Sequence, residues 1–494
     1  MRTAAAFALL LLLSVLPALA GPPIKVEWRE SKYSSGALRE KYAVQVDKQG
    51  NETRQGDAWE YFESGKVAAE GKYHQGKREG RWRWFHENGQ AKEEGKLAGG
   101  ARWDEWTTWH ANGKKATEGK YEKDKPVGKW ERWFAIGRKS EEHNYNKEGV
   151  LHGAYRRWHE NGKAAAQGQY KTGKQDGRWE TFHENGEPAT SGRLELGVKF
   201  DRWQAWHPNK QLAESHDYNK ERPGKWSRWF DNGNLQSEGM AIADQPVGRW
   251  VFYFSSGTRE SEGEFKEGVR EGNWTFWHEN TAKKEEGAYL AGSRTGRWLS
   301  WHDNNKPAAD GEYAKGGRVG AWVSWHPNGQ KELECVYAGG FNEQGWTRWY
   351  ANGKKASEGS YASGRRNGRW VQYHDNGEKA EEGSCADGLR TGEWSAWHVN
   401  GSLESHGSFR MGRREGNWEY WYDDGRPRMK GSYKDGKRDG AWSWFTRQGT
   451  PQAQGAFKGG WRDGWQREYD SAGKEVYAQF FKDGYESDPP AESK

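Results

Sequence analysis

One glycine position, repeated at a near-constant step, limits this chain more than any other feature. It falls at Gly65, Gly89, Gly113, Gly137, Gly162, Gly186, Gly233, Gly257, Gly329, Gly353, Gly377, Gly401, Gly425, Gly449 and Gly473. Lys210, Thr281 and Asn305 hold the same place in three further copies. The step is 24 residues, apart from one of 25 (137 to 162) and one of 23 (210 to 233), which makes 18 units. Self-similarity at such a period marks a repeat array, not a set of unrelated domains.

A typical unit reads G-x-W-x-x-W-H-x-N-G-x-x-x-x-E-G-x-Y-x-x-G, as in "GNWTFWHENTAKKEEGAYLAG" (272–292). Two short aromatic runs flank a turn signal, so each unit is expected to be one β-hairpin and the chain an antiparallel meander. Glycine recurs too often for helix, and no apolar stripe with a 3.6-residue period survives. Charged residues make up 30% of the chain, a level that ordinarily accompanies disorder. The 33 Trp, 22 Tyr and 17 Phe argue the reverse: the chain folds, on aromatic rings in place of an aliphatic core.

Asn-Gly favours a type I′ turn, with both central residues at positive φ. Pairing outward from that turn sets Trp179 opposite Gly192 and His183 opposite Pro188. It sets Trp82 opposite Gly95, Trp370 opposite Gly383, Tyr155 opposite Gly168 and Tyr170 opposite Gly153, while Tyr361 meets Gln344. An indole lying over a bare glycine fills the space of the missing side chain, and each Trp is expected to cover the glycine it faces. Strand alternation puts the first Trp, the His and the Tyr on one face. The second Trp and the Glu of E-G fall on the other, unless a bulge intervenes.

The unit resembles MORN repeats, and more closely the MORN-repeat variant of bacterial YwqK-family antitoxins. The matching core is N-G-K-x-x-x-E-G-x-Y-x-x-G followed by G-x-W, as in "NGKKATEGKYEKD" (112–124) and "NGKKASEGSYASG" (352–364), and the likeness spans about 50–484. It implies an all-β fold: an elongated single-layer antiparallel β-meander of about eighteen 24-residue hairpins. It also implies a scaffold for protein interaction, and the family name implies binding a toxin to neutralise it. Choline- and glucan-binding aromatic–glycine repeats are similar too, but their unit is shorter.

Ten of the 15 histidines stand two residues before the turn Asn: His86, His110, His159, His183, His207, His278, His302, His326, His374 and His398. Successive hairpins advance about 9.6 Å, too far for two such rings to share a metal with Zn–N bonds of about 2.0–2.1 Å. The neighbouring Glu160 has Ala111, Pro208, Pro327 and Val399 in equivalent places, so it marks a solvent-facing turn and not a base. A near-uniform array offers no asymmetric constellation for catalysis. The expectation is a non-enzyme with no cofactor and no metal.

The candidate interaction surface has two rows. One is the second Trp of each unit: Trp158, Trp206, Trp229, Trp277, Trp301, Trp325, Trp349, Trp397 and Trp421. The other is the arginine of G-x-R-x-G between hairpins, here Arg294, Arg318, Arg366, Arg390 and Arg414, which would line one edge, either as solvated loop charge balanced by a Glu row (Glu94, Glu118, Glu262, Glu286, Glu358 and Glu382) or as a basic ridge meeting a glycan or an anionic lipid surface. The net charge of +6, from 77 basic and 71 acidic residues, gives no case for nucleic acid. Cys335 and Cys385 lie two units apart, about 19 Å, beyond the roughly 7 Å limit of a bridge.

The N-terminus "MRTAAAFALLLLLSVLPALAGPP" has the layout of a secretory signal, with cleavage expected after Ala20. The expected domains are a signal peptide (1–20), an N-terminal cap (21–55), the array (56–484) and a disordered tail (485–494). No transmembrane span remains after cleavage. The location is therefore extracytoplasmic: periplasm, cell surface or medium, with an N-terminal membrane anchor as the alternative. The functional expectation is an exported scaffold binding a protein partner, antitoxin-like or immunity-like. The alternative is a cell-wall or polysaccharide binder using exposed Trp rows.

Overall fold

A computed structural model describes residues 25–490. They fall into two compact units, one up to Tyr218 and one from Asn219. The expected signal peptide lies outside the described residues, as do positions 21–24 and 491–494. The first unit holds strands β1 (Val26–Lys32) to β16 (Leu212–Tyr218), and the second holds β17 (Gly224–Trp229) to β40 (Tyr485–Glu486). Within each, strands pair antiparallel with their neighbours in sequence, as a hairpin meander requires. No helix occurs among the described residues. The strands begin at Val26, and β2 (Leu38–Val46) already pairs with β3 (Glu52–Tyr61). At the other end, Tyr485 and Glu486 pair with Lys482 and Phe481, so pairing runs two residues past 484.

The turn at Asn-Gly differs from expectation. In the unit of Gly186, the Gly186 N–H donates to the His183 carbonyl (2.8 Å) and the His183 N–H to the Glu187 carbonyl (2.9 Å). Only Gly186 is left-handed (φ +87°); Asn185 is not. This is a three-residue loop, a type I turn closed by a glycine bulge. The Asn side chain explains the choice: its Oδ1 accepts the Glu187 N–H at 3.0 Å, which holds the residue in the turn as an Asx cap. Pro188 therefore faces Phe182, not His183. Beyond a shift after Thr181 the expected register returns, and Trp179 pairs with Gly192.

The type I′ turns are between hairpins. In Thr172-Gly173 and Met411-Gly412 both residues have positive φ (49° and 80°; 50° and 82°). The strand that follows carries a bulge. Between β12 (Ala164–Lys171) and β13 (Lys174–Phe182), Gln167 pairs with Glu180 and Gln169 with Asp176. Gly168 thus faces three residues, Gly177, Arg178 and Trp179, and Gly177 takes φ +76°. The bulge turns the Trp across the strand boundary. Trp179 covers Gly168, the glycine of the hairpin before it, where a Cβ would stand 2.5 Å from the ring. Gly192, its ladder partner, is covered by Trp203. Rings do cover glycines, but each hairpin covers its predecessor. Gly168 likewise takes Trp179 and not Tyr155, although Tyr155 is its partner in the ladder.

This displacement builds the core. The Trp179 Nε1–H donates to the Gln169 carbonyl (3.0 Å), and Trp82, Trp274 and Trp394 repeat the bond to Lys72, Glu264 and Ser384. The rings are buried within a single layer: Trp82 is 0% exposed and Trp274 1%. Their edges meet the Tyr of the preceding hairpin, as Tyr73 meets Trp82 at 5.4 Å and 85°. Such pairs add about 0.5–1.5 kcal/mol each beyond area burial, which is how a chain poor in aliphatics holds together.

Candidate interaction surfaces

The histidine row is a ladder of backbone staples. His183 Nε2 donates to the Trp206 carbonyl at 2.8 Å, His302 Nε2 to that of Trp325 at 2.7 Å, and His159 Nε2 to that of Phe182 at 2.9 Å. A carbonyl only accepts, so Nε2 carries the proton. The turn Asn extends the ladder: Asn161 Nδ2 donates to the Glu184 carbonyl (2.6 Å) and Asn185 Nδ2 to that of Pro208 (2.7 Å). Where His becomes Tyr the bond persists, from the Tyr350 hydroxyl to the Tyr373 carbonyl at 2.8 Å. These bonds tie one turn to the next. Glu160 is exposed beside this ladder, its backbone carbonyl accepting from Arg138.

The arginines of G-x-R-x-G lie on the ring face. Arg294 sits 4.0 Å from the Trp298 ring centre, and Arg318, Arg366, Arg390 and Arg414 sit 4.4, 4.2, 4.2 and 4.8 Å from Trp322, Trp370, Trp394 and Trp418. Arg318 and Arg414 also donate to the Tyr337 and Tyr433 hydroxyls. All five guanidinium groups thus make cation–π contacts with the rings, while Arg318, Arg366 and Arg414 stay exposed and Arg294 and Arg390 are half-buried. Arg294, with Glu285 at 2.7 Å, and Arg390, with Glu381 at 2.7 Å, are ion-paired as well.

The second Trp row occupies the other face. Trp301 follows Trp298 by three residues, and strand alternation turns it away. Trp158, Trp206, Trp229, Trp277, Trp301, Trp325, Trp349, Trp397 and Trp421 are all half-buried. Lysines cap several: Lys139 over Trp158, Lys283 over Trp301, Lys331 over Trp349 and Lys379 over Trp397, at 5.7, 5.2, 5.5 and 5.5 Å. Each of these lysines also pairs with the glutamate three residues on: Glu142, Glu286, Glu334 and Glu382, at 3.2, 2.8, 3.1 and 2.6 Å. The structure therefore does not bring the Trp and Arg rows together; they face opposite sides.

Departures from the repeat carry information that pattern matching passes over. Gln466 stands in the Trp place and copies its bond, Nε2 donating to the Ala456 carbonyl at 2.8 Å. His143 replaces the covered glycine, and because this unit follows the one 25-residue step its Trp place, opposite Gly168, is held by Tyr155. The His143 ring is 2% exposed, and its Nδ1 lies 3.1 Å from Glu141. That close contact holds the Glu141 carboxyl below its usual range. Cys335 replaces another covered glycine; it and Cys385 are free and buried. Aligning each covered glycine with the Trp place of the next unit is the signal that exposes these departures.

The family described as "MORN repeat variant" matches at residues 78–96, 151–172, 222–240 and 414–435. The chain thus carries MORN-variant repeats. No curated protein matches it. Among solved structures it is similar to TcdB2-TccC3 (9% identity, 90% of this chain and 28% of that one, TM-score 0.13). It is also similar to a Photorhabdus luminescens Tc holotoxin pore (9%, 90% and 27%, TM-score 0.14) and to TcdB2-TccC3-Cdc42 (10%, 93% and 30%, TM-score 0.13). The chain spans less than a third of the chains in those structures, and at these TM-scores the likeness has no bearing on its role.

Proposed function

We propose that this chain of MORN-variant repeats is an exported, non-enzymatic scaffold that binds a protein partner, in the manner of immunity toward a toxin or effector. The observation that supports it is the use of the polar groups. The histidines that look most like chemistry give Nε2 to backbone carbonyls one hairpin on, as His183 does to Trp206. What the sheet leaves at its surface is a repeating display of half-buried rings and ion pairs, a surface suited to shape recognition. Export is supported by the apolar run and the Ala18-Leu19-Ala20 site. The test is affinity capture with the mature chain from envelope and secreted fractions. A stoichiometric protein partner supports the reading, and retention only on glycan refutes it.

The second reading, a polysaccharide binder, is favoured by the half-buried second Trp row with its lysines. Quenching of Trp fluorescence by sugars, lost on Trp301→Ala and Trp397→Ala, would select it.

A further inference from the structure

The ring face has slots between successive covering Trp residues, and the chain shows what fills them. Trp84 lies between Trp82 and Trp106, with ring centres 5.8 and 5.6 Å away and planes within about 31°. Phe276 lies in the same way between Trp274 and Trp298, at 5.8 and 6.3 Å. Arg78 and Arg270 cover these stacks, each over both rings. Where the ring is lost, an ion pair takes the space: beside Ser300 and Ala396, Glu285 reaches Arg294 and Glu381 reaches Arg390.

Between Trp179 and Trp203 neither filling is present. The slot residue is Thr181, its ladder neighbours are Ala166 and Thr190, and the arginine place opposite Tyr170 holds Gln175. The two threonine hydroxyls bond each other at 2.6 Å and form a floor. Above it is a cavity of about 390 Å³, walled by Tyr155, Tyr170, Trp179, Leu194 and Trp203. That is within the size range of ligand sites, about 300–1,000 Å³. Arg157, exposed, stands at its rim.

We propose that this slot is the seat of an aromatic side chain of the partner protein, a Trp, Tyr or Phe entering where Trp84 and Phe276 sit in other repeats. The proposal rests on the protein-binding reading and gives it an address. A ring fits because the repeat is its own template: the equivalent slot takes a ring tilted by about 30° elsewhere. A protein anchor fits because buried aromatic side chains in desolvated pockets dominate interface energy. Arg157 at the rim supplies a donor for a carbonyl or carboxylate flanking that ring.

The test titrates the full mature chain with N-acetyltryptophanamide, with N-acetylleucinamide and glucose as controls, by calorimetry and ligand-observed NMR. The expected result is saturable binding of the tryptophan amide alone, weakened at least tenfold by Thr181→Trp, which fills the slot as Trp84 does. Gln175→Arg, which restores the arginine over Trp179, is read the same way should Thr181→Trp misfold. Equal binding to wild type and variant overturns the proposal, as do no binding at tens of millimolar and glucose binding in place of the amide. A captured partner held undiminished by Thr181→Trp also overturns the slot, while leaving the scaffold reading intact.

Discussion

The indole of Trp179 lies over Gly168, and its Nε1–H donates to the carbonyl of the next residue, Gln169. Ring and glycine belong to consecutive hairpins, so this contact joins repeats and does not merely close one. Gly168→Ala puts a Cβ 2.5 Å from the ring and should destabilise by about 1–3 kcal/mol, the usual cost of overpacking. Trp179→Ala should cost about 3–5 kcal/mol. The chain's own variant, Gln466 over Gly455, indicates the remedy. Trp179→Gln can keep the bond to the Gln169 carbonyl and should cost about 1 kcal/mol less than Trp179→Ala. Denaturant unfolding of wild type and the three variants, with hydrogen exchange over 164–195, measures the difference; equal losses for Gln and Ala would refute it.

The period, the hairpins and the pairing of Trp179 with Gly192 are legible in the sequence because each depends on spacing alone. The turn type is not. Asn-Gly locally favours type I′, but the Asn185 side chain bonds Glu187 and leaves only Gly186 left-handed. The direction of the ring is likewise hidden. It depends on the bulge at Gly177, which spacing cannot distinguish from a plain strand. That the arginine row lies against the rings, as Arg294 does on Trp298, is not legible from spacing either. The slot at Thr181 is invisible without the rings around it.

Thr281 occupies the turn-glycine place at φ +71°, a β-branched residue in left-handed backbone. Its N–H still reaches the His278 carbonyl at 3.0 Å, so the turn is formed against a local cost. Left-handed backbone costs an L residue roughly 1–2 kcal/mol. Thr281→Gly should therefore stabilise, by about 1 kcal/mol after the greater entropy of glycine in the unfolded chain is offset. The reverse change, Gly257→Thr, should destabilise. A lower midpoint for Thr281→Gly in urea would contradict this.

Cys335 and Cys385 are both buried, and burial raises both thiols above their usual range. Thiolate is the reactive form. Neither should react with iodoacetamide in the native protein at neutral pH, and both should react in denaturant. Intact mass reads the count. A native protein lighter by two hydrogens, restored by reductant, would show a bridge and contradict the expected free thiols.

Glu131 receives Lys139 at 2.7 Å and Lys129 at 2.9 Å. Those hydrogen bonds, Lys139 first, bring its carboxyl from 4.5 down to about 2. A depressed carboxylate contributes stability that is fully present above the unfolded value. It is lost as pH falls from 4.5 toward 2, because the unfolded chain takes up the proton first. Glu131 is half-buried but its partner Lys129 is exposed, so solvent screens the pair and its worth stays under about 1 kcal/mol. Glu131→Gln should thus be slightly less stable than wild type at neutral pH, with the gap closing as pH falls through that window. Added salt should narrow it as well. Melting curves of the two proteins across the acid range measure the gap, and one that persists undiminished near pH 2 would mean the lysine pairs are not its source.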